Sequence, residues 1–292
     1  VLRANLSPES QPAPQQPARQ TAALSGNAFV PTPAYAGSAS TLAFTARVGQ
    51  TATQSLTVCN GSFAGGICSA GAATAALNLS GFTFSRGEYS RDAASTCSAT
   101  SSLAAGGSCR LDVVFTPGSA GSINGTVQIA HNAAGGSATV NLNGTATQAL
   151  ISGAPSPLAF GDVQIGFSRV LTLTVSNTGT AALSFTSDPR AAARLSGVNS
   201  ADFAITGGTC QSGVPVSSLG NCTLTLSFAP SAGASVARAA TLTLPSDATN
   251  GPLVVSLGGG AVALPPPEFS ATSLSFPDTV IGEAGPTLRE FT

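Results

Sequence analysis

At 292 residues the chain has room for two domains and a remainder, and 42% hydrophobic residues are enough to build cores. Only 8% of residues are charged; eleven basic residues, all arginine, stand against twelve acidic ones. No basic patch suited to nucleic acid or to an acidic membrane surface is visible, and no apolar run approaches the ~18 residues of a membrane helix. Lysine is absent, which excludes intramolecular Lys–Asn isopeptide bonds, and Met and Trp are absent too. Solubility therefore falls to Ser, Thr, Asn and Gln, which suits an exported protein. No signal peptide is recognisable, and the start at Val1 reads as a processed or trimmed form.

Residues 1–38 are rich in Pro, Gln and Ala and read as an extended arm. From residue 39 the composition turns to Thr, Val, Ser, Gly and Leu in short alternating runs, broken by Gly, Pro and Asn, which is an all-β signature. Residues 39–147 form the first expected unit. It opens on "TLAF", continues through Val48-Gly49 and "QSLTVCNG", reaches "CRLDVVFTPGSAG", and closes on "TVQIA" and "TVNLNG". After a linker at 148–156, residues 157–260 repeat the series: "PLAF", Ile165-Gly166, "RVLTLTVSNTG", "CTLTLSFAPSAGA", "TLTLP" and "LVVSLGG". A second, Pro-rich linker at 261–268, with Gly258–Gly260 just before it, leads to residues 269–292. There "SLSF" and Ile281-Gly282 begin a third unit that "LREFT" leaves incomplete.

Leu42, Leu158 and Leu274 follow one another at a constant step of 116 residues, so the units are copies of one design. Period two places Cys109, Leu111, Val113 and Phe115 inward in the first copy, and Cys222, Leu224, Leu226 and Phe228 in the second. Arg110, Asp112, Thr223 and Thr225 then face outward. Units of this size, made of short strands and turns, are expected to be immunoglobulin-like β-sandwiches.

The run "LAFGDVQIGFSRVLTLTVSNTGTAALSF", followed by "ADFAITGGTC" and "CTLTLSFAPSAGA", resembles the Hydin-type (ASH) immunoglobulin-like domain. In bacteria such domains occur in secreted proteins labelled choice-of-anchor D. The resemblance covers most of 155–262, extends more loosely over 39–147, and touches 267–292. It implies a sandwich of seven to nine strands used as a spacer or interaction module, with no catalytic residues to carry over. The first copy departs from the pattern at "CNGSFAGGICSAGAA", a longer cysteine-bearing loop.

Six cysteines allow fifteen connectivities. Cys97 and Cys109 are twelve apart, as are Cys210 and Cys222, so equivalent pairs are expected to bond alike and to leave Cys59 with Cys68. A bridge over a loop of this size contributes up to ~3 kcal/mol. Disulfides imply an oxidising compartment; reduced core thiols and zinc are the alternatives. Against zinc, there is no Cys-x-x-Cys pair, and the single histidine, His131, lies in "AHNAAGG" and reads as a polar turn residue.

No catalytic constellation is legible. Asp162, Asp188, Asp202, Asp247 and Asp278 are scattered near turns, "GGTCQSG" follows no strand-to-helix phosphate pattern, and neither cofactor nor metal is expected. Sequons occur at Asn5, Asn60, Asn78, Asn124, Asn143 and Asn221, several of them Asn-Gly turn pairs. The expected protein is a non-enzymatic, extracellular or cell-surface structural subunit of a filament, stalk or surface layer. Its expected partners are head-to-tail copies of itself and, further, other surface proteins or glycans. The alternative is an adhesion or ligand-binding module of a larger secreted multi-repeat protein. The incomplete third unit reads either as a cut array or as a fragment completed by a neighbour through strand pairing. Under the second reading the apolar residues that need cover are Leu274, Phe276, Ile281 and Phe291, and the arm residues Phe29, Val30 and Tyr35 are candidate donors.

Overall fold

The computed structural model describes residues 30–191, 194–231 and 236–263. Among them the chain is almost entirely β and builds two sandwiches in sequence. The first contains β1 (Tyr35–Gly37), β2 (Thr41–Arg47), β3 (Ala52–Asn60), β4 (Ser62–Ala64), β5 (Ile67–Ser69), β6 (Leu77–Phe84), β7 (Tyr89–Arg91), β8 (Ser102–Leu103), β9 (Ser108–Phe115), β10 (Gly121–His131) and β11 (Ser137–Thr147). Its sheets run β1-β3-β9-β7 and β2-β11-β10-β6-β8, with β4 and β5 as a separate hairpin. The second contains β12 (Ile151–Ala154), β13 (Leu158–Gln164), β14 (Arg169–Asn177), β15 (Leu195–Ser196), β16 (Phe203–Gly208), β17 (Asn221–Phe228), β18 (Ala237–Leu244) and β19 (Leu253–Val262). Its sheets run β12-β14-β17-β16 and β13-β19-β18-β15.

The two sheet orders are the same design twice. β1 and β12 each pair antiparallel with the next long strand of their sheet, β3 or β14. The chain then crosses to the opposite sheet, where β2 lies parallel to β11 and β13 parallel to β19. Two sheets per unit, antiparallel apart from this one pair, make each an immunoglobulin-like β-sandwich.

Alternating side chains fill each core as the period-two pattern requires. Leu56, Leu111, Phe115, Ile129 and Leu142 are among the fully buried residues of the first; Phe160, Leu173, Leu224, Leu226 and Phe228 are among those of the second. Three rings occupy the centre of each. Tyr89 stacks on Phe115 at 4.9 Å between centroids, with Phe44 edge-on to Tyr89 at 5.4 Å. Phe203 stacks on Phe228 at 4.7 Å, with Phe160 edge-on to Phe203 at 5.6 Å. Stacked and edge-on rings at these separations contribute beyond their buried area. A glycine in the last strand makes room for the stack each time. A Cβ on Gly144 would lie 2.7 Å from the Phe115 ring, and one on Gly259 would collide with the Phe228 ring.

Four sequence expectations need correction. Tyr35–Gly37, placed in the arm, is the first strand of the first sandwich, with Tyr35 in register with Asn60. Ile151–Ala154, placed in the linker, is its counterpart β12, and Ala149 and Ile151 are buried in the second core. In both places Gly, Pro and Ser dilute the alternation of a strand only three or four residues long. Ala261 and Val262, placed in the second linker, end β19, which also holds Gly258–Gly260; the Phe228 ring fills the space a side chain on Gly259 would need. Asp112 points to the outer face of its sheet but is only 4% exposed. Residues 92–97 fold over it: Asp92 N donates to Asp112 O, and the Ser95 hydroxyl bonds both backbone groups of Asp112.

Candidate functional site

Three disulfides are formed, Cys59–Cys68, Cys97–Cys109 and Cys210–Cys222. The last two tie a loop residue ahead of each central strand, β9 or β17, to that strand's second position, with a Cα–Cα distance of 5.0 Å in both. Cys59–Cys68 is particular to the first sandwich and clips the β4–β5 hairpin to the end of β3.

Beside this hairpin lies a polar device that occurs in both domains. Asn60 and Asn177 end β3 and β14 and are 0% and 1% exposed. The Asn60 amide donates to the carbonyls of Ala75 and Leu103, and its oxygen accepts from Ala34 N. The Asn177 amide donates to the carbonyls of Ala181, Val216 and Ser217, and its oxygen accepts from Gly179 N and Leu150 N. Ala34 and Leu150 both stand just before the first strand, so each asparagine fastens the entry of its domain. Asn60 is therefore occupied internally and is no glycan acceptor, whereas Asn78, Asn124, Asn143 and Asn221 are exposed. The motifs "CNG" and "SNTG" carried this signal, since both repeats place Asn at the end of the same strand.

His131 is not a turn residue open to solvent. It ends β10, is 5% exposed, and stacks flat on Tyr35 at 4.7 Å between centroids. Burial pushes its pKa below the ordinary 6.5 and raises that of Tyr35. Among the described residues no cluster of His, Cys, Asp or Glu has the arrangement of a metal site.

The carboxylates are engaged singly. The Ser55 hydroxyl, at 2.6 Å, together with the Arg110 guanidinium, holds Asp112 below the usual carboxylate range. Asp188 caps the backbone N–H of Arg190, which lowers its pKa. Asp202, 7% exposed, accepts from Ser231 N and pairs with the half-buried Arg238 at 3.4 Å. Asp247 reaches across the domain junction to Arg47 at 2.9 Å.

That junction is short. β11 ends at Thr147 and Ala149 already belongs to the second core, so Gln148 alone stands between. Gln148 is itself strapped to the second sandwich: its carbonyl accepts from Thr180 N and Ala181 N, both at 2.8 Å, and its side chain accepts from the Thr249 hydroxyl. Arg47, Val48, Gln50, Thr147 and Gln148 face Asp247 and Thr249 across one cleft. Sequence reasoning had no signal for the Arg47–Asp247 pair, whose members lie 200 residues apart.

The expected assembly residues divide. Tyr35 lies in β1, an edge strand of its own sheet, in register with Asn60 of β3. Val30 is exposed. Phe29, Leu274, Phe276, Ile281 and Phe291, like Asp278 and Asn5, lie outside the described residues.

No known sequence family matches the chain, and neither does any curated protein. Among solved structures it is similar to the ASH/PapD-like domain of human CEP192, at 16% identity and a TM-score of 0.27, covering 40% of this chain and 89% of that one. It is also similar to an I-band fragment of titin, at 9% identity and a TM-score of 0.33, covering 81% and 67%. A third likeness is to the Vibrio cholerae VesB protease, at 23% identity and a TM-score of 0.30; it covers 38% of this chain and 31% of the protease. Likenesses this distant say nothing of activity. No helix among the described residues is long and apolar enough to cross a membrane.

Proposed function

We propose that this chain is a non-catalytic structural subunit of an extracellular or cell-surface filament, stalk or layer. In this reading tandem sandwiches serve as spacers, and chain ends make head-to-tail contacts through strand pairing. The observation that carries it is the junction. A single intervening residue, tied to the second domain by its own backbone and side chain and flanked by the Arg47–Asp247 pair, leaves no free linker between the two bodies. Spacers need a fixed angle between units, whereas flexibly tethered modules need slack. Three disulfides favour an oxidising compartment. The acidic groups described above cap turns or close ion pairs rather than converge, which favours a structural role.

Negative-stain microscopy of native material, followed by sedimentation velocity of the purified full chain over a range of concentrations, tests the proposal. Regular fibres and concentration-dependent association, both weakened by deleting residues 267–292, are expected. Isolated particles that do not self-associate but bind glycans or surface proteins would replace it with the adhesion reading.

A further inference from the structure

The turn after β2 and the turn after β13 are built alike. Val48 N donates to Thr147 O at 2.9 Å and Gln50 N to Arg47 O at 2.9 Å. Ile165 N donates to Val262 O at 2.8 Å and Phe167 N to Gln164 O at 3.0 Å. Gly49 and Gly166 supply the left-handed residue at φ 77° and 90°. Phe167 therefore stands in the second sandwich where Gln50 stands in the first. In the first, this turn forms one wall of the cleft at the junction with the following domain.

The second turn differs in chemistry. Phe167 is 61% exposed, and Val236 and Val262, which share one concavity at the same end, are exposed as well. The chain leaves β19 at Val262, at this face, and continues for residues 264–292, whose sequence begins another copy of the repeat. An exposed ring and two exposed valines at one domain end offer apolar surface for docking. The occupant follows from continuity: the same turn one domain earlier adjoins the next repeat of the same chain.

We propose that the Phe167 end of the second sandwich is the seat of residues 264–292 of the same chain. Apolar contact holds this junction, where an ion pair and polar side chains line the first. The contact is within one chain and goes beyond the assembly reading, which concerns contacts between chains.

The test replaces Phe167 in the full chain by a photo-crosslinking phenylalanine analogue, with Val198, fully exposed at 101%, as the control position. Irradiation is expected to give intrachain cross-links from position 167 to peptides within 264–292, at a yield well above that from position 198. Cross-links from position 167 to another copy, or a yield no higher than the control, would overturn the proposal. Phe167→Gln, which copies the first turn, is expected to speed limited proteolysis within 264–292 several-fold; an unchanged rate overturns it too. Failure here and failure of the assembly reading are separable. Cross-links between copies remove the intrachain seat and leave head-to-tail assembly standing, whereas non-associating chains with intact intrachain cross-links do the reverse.

Discussion

The two sandwiches agree in their interiors and differ at their ends. Ring triad, glycine gap, entry asparagine and twelve-residue disulfide occur in both. The clipped β4–β5 hairpin and the buried histidine belong to the first domain; the Arg238–Asp202 pair and a β-bulge in edge strand β13 between Ala159 and Gly161 belong to the second. The shared features set packing and chain entry, which any copy of the fold must satisfy. The private ones lie mostly at loops and edges, where each copy meets a different neighbour. Function in a tandem array is therefore to be sought in what the copies do not share.

The strongest challenge to the interior equivalence is Phe115→Ala beside Phe228→Ala. Each should lower its own domain's unfolding free energy by ~3–5 kcal/mol and leave the other domain's transition in place. Calorimetry that shows one large and one negligible loss would break the equivalence. Next come the entry asparagines. Asn60→Ala and Asn177→Ala each leave buried carbonyls unpaired, at about 1–3 kcal/mol. Asn177, with five hydrogen bonds to three for Asn60, should show the larger loss. Equal losses in denaturant titrations would mean that the additional bonds contribute nothing.

A smaller effect separates the domains by pH. The chain holds a single histidine, in the first domain, and its folded pKa lies below 6.5. The unfolded chain thus binds a proton that the buried ring resists. Stability is full above pH 6.5 and is lost as pH falls from there through the lower folded value. Only the first domain's transition should move between pH 7.5 and 5.5, and His131→Gln should abolish the movement. An equal movement in the second domain would assign it to another group. The lowered Asp112 acts in a separate window, below its ordinary 3.8. The smallest effect is at the junction. Arg47 and Asp247 are both partly exposed, so a double-mutant cycle with Arg47→Ala and Asp247→Ala should give a coupling under about 1 kcal/mol. A much larger value would mean that the pair is desolvated on docking.

The strands that carry the rings were legible because period two and the cysteine spacing both mark them. "CRLDVVF" and "CTLTLSF" can alternate only one way about their cysteines. The first strand of each domain was not legible alone, for "YAG" and "ISGA" have no apolar alternation. Set one above the other, "YAGSASTLAF" and "ISGAPSPLAF" share the 116-residue step, so the repeat held what the local pattern lacked. Asp112 misled because alternation gives the face of a sheet and not what a distant loop lays over it. His131 misled because neighbouring glycines suggest a turn, while its burial depends on Tyr35, almost a hundred residues earlier in the chain.

Parallel pairing of the first and last long strands bears on how these domains respond to force. Once the short first strand, β1 or β12, has been drawn off its antiparallel partner, the chain is pulled lengthwise through the seven register pairs of β2 and β11, or the six of β13 and β19. Hydrogen bonds set across the direction of pull are loaded together in shear, whereas an antiparallel hairpin joined at one end would peel open bond by bond. Tension along the backbone thus loads these long parallel pairs in shear after the short entry strand has given way.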